Sequence, residues 1–190
     1  MPSVHSRLNV ALTSNAQKCR SINNFASTTA IVAGLASTVI SKLHLTWAHV
    51  SRTSHLEPLV KLNEPTGNFS AYRSALAAAE GPCLPFVGTF LSDIVHVQDQ
   101  HPDVVLTAQG HSLIHFVKRQ RWADAIHAIL RHQARPYAFA EDPATVSFVE
   151  RQIADAVSRD PAFFWSRSQE LQQAELAHAD IRKGLEAAGF

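Results

Sequence analysis

The chain has 190 residues, of which 46% are hydrophobic and 17% are charged, and its formal net charge is +1. Its length and apolar fraction suit one domain with a buried core and exclude intrinsic disorder, while the balanced charge provides no overall field that attracts nucleic acid or anionic lipid. The two cysteines, Cys19 and Cys83, are too few for a disulfide framework or a cysteine-rich zinc module.

The dominant sequence period is helical, and alternating strand patterns are scarce. Residues 1–18 are rich in Ser and Asn and predict a poor or frayed helix. A buried helix is predicted from Phe25 to between Gly34 and Ser37, since the apolar side of this run carries Phe25, Thr28, Val32 and Leu35. The next predicted helices cover 38–47, 55–62 with Ser54 as its cap and Pro58 in its first turn, and 69–79 after a turn at 64–68.

A helix is then predicted over 86–97, between Pro85 and the His101-Pro102 pair. Val95 and Asp99 fall outside its apolar arc, and their i, i+4 spacing predicts that they stack about 6 Å apart on an outward face. An apolar residue beside a carboxylate on a solvent-facing side is unusual. The residues on the predicted buried arc are Phe86, Val87, Phe90, Leu91, Ile94, Val97 and Gln98.

A loop containing Gly110 leads to a second long helix, predicted over 113–133, about 31 Å in length. Together the two helices predict a helical hairpin that projects from the body of the protein. Two further helices are predicted over 143–157, capped by Asp142, and over 161–174, which makes the whole chain one all-α unit. The second hairpin helix is expected to bury Phe116, Trp122, Ala123, Ile126, Ile129 and Leu130, with Arg121, Asp124 and Arg131 opposite.

Patterns that would indicate covalent or metal chemistry are weak. His111 and His115 are four residues apart but lack the Glu of a His-Glu-x-x-His motif, and His44, His49 and His55 have no carboxylate or thiolate at ligand spacing. Structural or surface histidines are therefore favoured over a metal site, and no cofactor is expected. Cys83 has no base at a spacing that would make it a nucleophile, so a buried structural cysteine is favoured over a hydrolase.

The one basic cluster is Lys118, Arg119 and Arg121, flanked by aromatic residues. This pattern is compatible with nucleic-acid contact, but a one-turn charge run on a long helix is more typical of a solvated or ion-paired face. No segment is apolar over a membrane-spanning length, and the first residues lack a signal-peptide pattern. We therefore expect no nucleic-acid partner, no integral membrane segment and a cytoplasmic location.

Several motifs occur together in the order found in one family. They are Cys19-Arg-Ser-Ile-Asn-Asn-Phe, Ile31-Val-Ala-Gly-Leu, Leu43-x-x-Thr-Trp, Asn68-Phe-Ser-Ala-Tyr-Arg, Pro82-Cys-Leu-Pro-Phe-Val-Gly-Thr-Phe-Leu-Ser-Asp-Ile, His101-Pro-Asp, Ile114-His-Phe-Val-Lys-Arg-Gln-Arg-Trp-Ala and Gln133-Ala-Arg-Pro-Tyr. With this order the chain resembles the catalytic domain of Ras guanine-nucleotide exchange factors (RasGEF), and the segment from Phe163 resembles fungal members.

The resemblance implies an all-α domain that binds a Ras-like GTPase and promotes GDP release without covalent chemistry. It places the apolar side chain and the carboxylate that disturb the nucleotide site at Val95 and Asp99. Membrane recruitment through the GTPase is compatible with this reading. The alternative is a truncated GTPase-binding helical module that has no exchange activity. The GTPase contacts implied by the resemblance are Asn24, Ala26, Ser92, His96, Lys118 and Arg119.

The chain also departs from the family pattern. Val95 and Asp99 stand where Leu and Glu are common, and Ala26 stands where Asn is common. The usual Gly-Asn-Pro is Gln100-His101-Pro102, and the Asn of Ile-Asn-Phe is His115. We expect a partial RasGEF domain, its C-terminal portion, over 19–180, preceded by a weakly structured segment or truncated helix end at 1–18 and followed by a tail at 181–190.

Overall fold

A computed structural model describes residues 4–48, 50 and 53–187. These residues form ten helices and one small antiparallel sheet, in agreement with the expected all-α class. In the sheet, Val104 pairs with Ile114 and Leu106 with Ser112. The elements are α1 (Val4–Ser21), α2 (Phe25–Ala36), α3 (Thr38–Ser41), α4 (His44–Ala48), α5 (Thr53–Leu62), α6 (Thr66–Ala77), α7 (Gly88–Gln100), β1 (Val104–Leu106), β2 (Ser112–Ile114), α8 (Phe116–Leu130), α9 (Pro143–Val157) and α10 (Pro161–Ala187).

The chain forms two compact units. The first contains Met1–Asn15, Ile31–Val60 and Ala138–Phe190, and the second contains Ala16–Ala30 and Lys61–Tyr137. Within the described residues, no helix combines the length and the apolar character needed to cross a membrane.

A single carboxylate links two helices of the first unit. The Glu175 side chain on α10 accepts hydrogen bonds from the backbone N–H of Leu45, at 3.1 Å, and of Thr46, at 2.7 Å. The Thr46 hydroxyl also donates to this carboxylate, at 2.5 Å. These donors lie in the first turn of α4, where N–H groups have no partner within the helix, so Glu175 holds α4 against α10.

The core of the second unit forms around Tyr72. The Tyr72 ring makes edge-on contacts with Phe25, at a centroid distance of 5.5 Å, and with Phe86, at 6.4 Å. The Tyr72 hydroxyl donates to the backbone carbonyl of Phe86 and accepts from its N–H, at 3.1 and 2.9 Å. Tyr72 therefore fixes the backbone just before α7 begins. The buried members of this cluster are Phe25, Tyr72, Leu76, Cys83 and Phe90.

Several predicted helix boundaries need correction. In the segment predicted as a poor or frayed helix, residues 1–18, the described part belongs to a continuous helix from Val4 to Ser21. The predicted helix over 38–47 is interrupted between Ser41 and His44. Pro58 lies inside α5, not in its first turn, since α5 begins at Thr53, and the side chain of Ser54 lies outside the described part.

At the other end, α10 continues to Ala187 and so covers most of the tail expected at 181–190, of which residues 188–190 are outside the description. The prediction for α9 is confirmed, since it spans Pro143–Val157 and the Asp142 side chain accepts from the N–H of Ala144. The limits of a RasGEF domain over 19–180 remain a prediction.

The hairpin helices are shifted and packed differently from the expectation. α7 begins at Gly88 and α8 at Phe116, because residues 104–114 form the β1–β2 hairpin between them. Phe116 and Ile126 are exposed, which corrects the predicted buried face of α8. Leu91 and Gln98 of α7, and Val87 just before it, are also exposed, which corrects their predicted burial, while Phe90 is buried as expected. The other expected buried residues of α8 divide into Trp122, Ala123 and Ile129, which are half-buried, and Leu130, which is exposed.

The two phenylalanines of the hairpin give a matched stability test. Phe90→Ala removes a ring that is 6% exposed and should lower the free energy of unfolding by about 3–5 kcal/mol. Phe116→Ala removes a ring that is 73% exposed and should change it by less than about 0.5 kcal/mol. Urea unfolding of both variants measures the difference, and equal losses would contradict the packing described here.

Candidate functional site

The outward face of α7 carries the residues that the sequence singled out. Leu91, Val95 and Asp99 follow one another at four-residue intervals, so they form a stripe along the helix. Leu91 and Val95 are each 56% exposed, and Asp99 is exposed too. Ser92 and His96 are exposed on the adjacent stripe. The predicted outward position of Val95 and Asp99 is confirmed, and Leu91 joins them.

Asp99 is free for an external contact. Its carboxylate has no hydrogen bond or ion pair with any residue in the described part of the chain. It is the second-to-last residue of α7, where the unpaired carbonyl groups of the helix already produce a negative potential. At the end of α7, the negative charge of Asp99 and the negative end of the helix dipole therefore add to one another.

An ion pair holds the inner side of α7. Asp93 lies two residues before Val95, and its carboxylate pairs with the Arg73 guanidinium of α6 at 2.9 Å, with both side chains about 30% exposed. Arg73 also donates to the backbone carbonyl of Asn68 at 2.8 Å. Asn68 has a φ of +55° in the left-handed break at the start of α6, so this bond stabilises an otherwise costly backbone conformation.

The helix α8 supports α7 from its other side. The indole N–H of Trp122 donates to the backbone carbonyl of Ile94 at 3.3 Å. This bond and the Arg73–Asp93 pair both reach α7 within two residues of Val95. The exposed stripe is thus carried on a helix that is fastened close to its functional residues.

Lys118 occupies a position that sequence patterns did not predict. Its side chain is only 1% exposed, and its ammonium group lies 3.1 Å from the carboxylate of Asp103, which is 57% exposed. Arg119 pairs with the same carboxylate at 2.9 Å and remains partly exposed. The ion-paired reading of the basic cluster is therefore confirmed for these two residues. The hydrogen bond from Lys118 is the main reason that the pKa of Asp103 lies below its ordinary value.

Asn24 and Ala26 lie at the start of α2, beside the segment that leads into α7. The N–H groups of Phe25 and Ala26 donate to the carbonyl of Leu84, at 2.9 and 3.2 Å. The Asn24 side chain accepts from the N–H of Ser27 at 2.9 Å and so caps α2. Both residues are half-buried. The structure brings the start of α2 and the start of α7 together through these backbone bonds.

A cleft of about 560 Å³ lies between α6, α7 and α8. Its polar lining includes the Arg73–Asp93 pair together with His96, Arg121 and Asp124. His96 therefore borders both the outward face of α7 and this cleft. The cleft carries mixed charge, so it favours no single charge type of ligand.

The described residues contain no group of three or more His, Cys, Asp or Glu side chains that could hold a metal ion. His49 and the side chain of His55 lie outside the description. Cys83 is buried in the core, and burial is the main cause that raises the pKa of its thiol. A raised pKa keeps the thiol protonated, which favours the structural reading of Cys83 over a nucleophile.

Sequence reasoning missed the contacts that fix the hairpin. Asp103 lies 15 residues before Lys118, and only the intervening β1–β2 hairpin brings them together. The signal for that hairpin was present as two apolar runs, at 104–106 and 112–114, on either side of Gly110. The pairing of Arg73 with Asp93 had no such signal, because the two residues lie on different helices.

The RasGEF domain family matches residues 8–120 of the chain. The chain is 33% identical over 148 residues to the guanine nucleotide exchange factor SDC25 of Saccharomyces cerevisiae (strain YJM789), a match covering 73% of this chain and 12% of that protein. It is 33% identical over 159 residues to the Ras guanine nucleotide exchange factor efc25 of Schizosaccharomyces pombe, covering 83% of this chain and 16% of that protein.

A third relative is the cell division control protein 25 of Candida albicans, 34% identical over 138 residues, which cover 71% of this chain and 10% of that protein. The chain thus spans less than one fifth of the length of each of these relatives.

The Lys118–Asp103 pair generates a prediction with a matched control. Asp103→Asn should lower the free energy of unfolding at pH 7, because it leaves the buried ammonium of Lys118 without its counter-charge. The control is Asp155→Asn, which breaks the ion pair between Asp155, a carboxylate about as exposed as Asp103, and Arg159, which is 40% exposed. This variant should lower the free energy of unfolding by less than about 0.5 kcal/mol. Urea unfolding of both variants gives the comparison.

The pH dependence of this difference follows from the lowered pKa of Asp103. A carboxylate whose pKa is lower in the folded state stabilises the fold above its ordinary value of 3.8, and this contribution is lost as the pH falls through the folded pKa. The difference in the free energy of unfolding between the original chain and the Asp103→Asn variant should therefore become smaller below about pH 4. If this difference in unfolding free energy stayed constant down to pH 2.5, the Lys118–Asp103 ion pair would not be its cause.

Proposed function

Because the chain belongs to the RasGEF domain family, we propose that it promotes the release of GDP from a Ras-family GTPase. The observation that carries the proposal is the exposed stripe of Leu91, Val95 and Asp99 on a helix held firmly on its inner side. Two of the relatives, SDC25 and efc25, are named as guanine nucleotide exchange factors, and the name of efc25 specifies Ras. No covalent bond is made or broken in nucleotide release, so the properties that the chain needs are shape, charge and rigidity.

The chemistry of the stripe suits a nucleotide site. A GTPase holds the phosphates of its nucleotide with cationic side chains, backbone N–H groups and Mg²⁺. The carboxylate of Asp99, at the negative end of α7, would compete with phosphate for those cationic groups. The side chain of Val95 would occupy space near the metal without offering an oxygen ligand. Both effects weaken nucleotide binding and leave the GTPase itself intact.

Rigidity decides whether this contact can change an equilibrium. A factor speeds nucleotide release only if it binds the nucleotide-free GTPase more tightly than the loaded form. If α7 moved aside on contact, the chain would bind both forms of the GTPase with similar affinity. The Arg73–Asp93 pair and the Trp122–Ile94 hydrogen bond fix α7 next to Val95, which supports the proposal.

Further GTPase contacts are proposed on α7, on α8 and at the start of α2. Ser92 and His96 adjoin it, Arg119 is partly exposed on α8, and Asn24 and Ala26 lie at the start of α2. Lys118 is proposed to act through its contact with Asp103, since its own side chain is buried. The chain would act in the cytoplasm and would reach a membrane only through its GTPase.

The test is a labelled-GDP release assay with Asp99→Ala. Loss of one charge-assisted contact, about 1.5–3 kcal/mol, should slow the release that the chain stimulates by about 10- to 150-fold. Asp99→Glu keeps the charge and lengthens the side chain, so its rate should be equal or higher. Gln98→Ala changes the exposed neighbour of Asp99 and is the matched control, for which no change is expected.

Two results would contradict the proposal. Unchanged release with Asp99→Ala would remove Asp99 from the mechanism. Binding of the GTPase without any stimulated release, by the original chain, would favour the alternative of a helical binding module that lacks exchange activity.

A further inference from the structure

Two histidines meet where the hairpin helices are joined. His101 directly follows α7, and His115 directly precedes α8. Their rings lie with centroids 5.1 Å apart although they are 14 positions apart in sequence. The β1–β2 hairpin lies between them, so this ring contact closes the connection from α7 to α8.

The contact at His115 requires an unprotonated ring nitrogen. Its Nδ1 accepts the backbone N–H of Lys118 at 3.1 Å and so caps α8. Separately, the backbone N–H of His115 donates to the backbone carbonyl of Asp103 at 3.0 Å. A proton on Nδ1 would turn the acceptor into a donor, and the N–H of Lys118 would lose its partner. The cap of α8 therefore exists only while Nδ1 is free of a proton.

His101 is in an environment that disfavours positive charge. Its Nε2 atom is shielded from solvent and has no hydrogen-bond partner among the described residues. Burial, Arg121, His115 and Lys118, in this order, lower the pKa of His101 below its ordinary value of 6.5. The nearby carboxylate, Asp103, is already paired with Lys118 and Arg119. The neighbouring Arg121, His115 and Lys118 thus all oppose its protonation.

We propose that His101 and His115 are positioning residues that form a pH-sensitive joint between α7 and α8. With both rings neutral, the joint is closed and holds the end of α7, where Asp99 lies two residues before His101. A proton on Nδ1 of His115 would remove the cap of α8, and a proton on His101 would add a positive charge beside Arg121 and Lys118, so either one opens the joint. The consequence for exchange rests on the proposed function, while the joint itself does not.

The sign of the pH effect follows from linkage. The folded state binds protons at His101 less readily than the unfolded state does, so neutral His101 contributes its full stabilisation above pH 6.5. That contribution is lost progressively as the pH falls below this value. The joint should therefore weaken between pH 7 and pH 5, where carboxylates such as Asp103, whose pKa is lowered, remain charged.

The joint can be tested on the full chain without any GTPase. Amide hydrogen exchange, corrected for intrinsic rates, gives protection factors at pH 7.5 and pH 5.0. We expect protection of residues 115–119 to fall at least tenfold at pH 5.0, while that of α6 changes little. The double variant His101→Asn and His115→Asn removes both titrating rings and keeps a capping side chain at 115, so its protection should not depend on pH.

His111→Asn is the matched control, because His111 is an exposed histidine of the same connection that lies outside the ring pair. In the His111→Asn variant, protection of residues 115–119 should fall at pH 5.0 as much as it does in the original chain. Protection of residues 115–119 that is independent of pH in the original chain would overturn the proposal. An equal loss in the double variant would also overturn it.

A GTPase assay then separates the joint from the proposed function. Release stimulated by the original chain should fall at least about fivefold relative to the double variant when the pH is lowered from 7.5 to 5.5, after subtraction of GTPase-alone release. Equal pH profiles would overturn the joint as a positioning device for Asp99. Absence of stimulated release from both chains at every pH would instead count against the proposed function, and the hydrogen-exchange result would still decide the joint.

Discussion

The hydroxyl group of Tyr72 provides the constraint on which the second unit depends. By donating to the carbonyl of Phe86 and accepting from its N–H, it fixes both polar groups of one residue directly before α7. A side chain that satisfies two backbone groups inside an apolar cluster cannot shift without leaving them unpaired, at a cost of about 1–3 kcal/mol each. Phe25 packs edge-on against the same ring, so the start of α2 is held at the same point. The direction in which α7 leaves the core is set there.

The properties of the hairpin follow from this anchoring. Phe90 is buried, then Asp93 and Ile94 are fastened to α6 and α8, and beyond them α7 has an open outer face. Firm attachment inside and exposure outside are what a helix needs to transmit force to a partner. The negative end of such a helix is a place where a carboxylate is not stabilised by its own fold. Asp99 at that end is more readily explained by an external contact than by folding.

Sequence patterns predicted the elements whose cause is local. The apolar face of α2 and the Asp142 cap of α9 are both confirmed, because periodicity and capping act within one helix. The exposure of Val95 and Asp99 was predictable for the same reason. The predicted burial of Phe116 is wrong, because periodicity predicts a continuous helix from residue 113, whereas residues 112–114 form β2 and α8 begins only at Phe116. The buried Lys118 and the His101–His115 contact depend on the β1–β2 hairpin too, and no spacing rule within a helix could have found them.

The proposed function requires that this chain distinguishes the nucleotide-free GTPase from the loaded one, since only such a difference can drive nucleotide release. The most direct measurement is the dissociation constant of the chain for one Ras-family GTPase, determined by calorimetry for the nucleotide-free and the GDP-loaded forms. We expect the nucleotide-free form to bind more tightly by at least about tenfold, and added GDP to dissociate the complex. Equal dissociation constants for the two forms would contradict the proposed function.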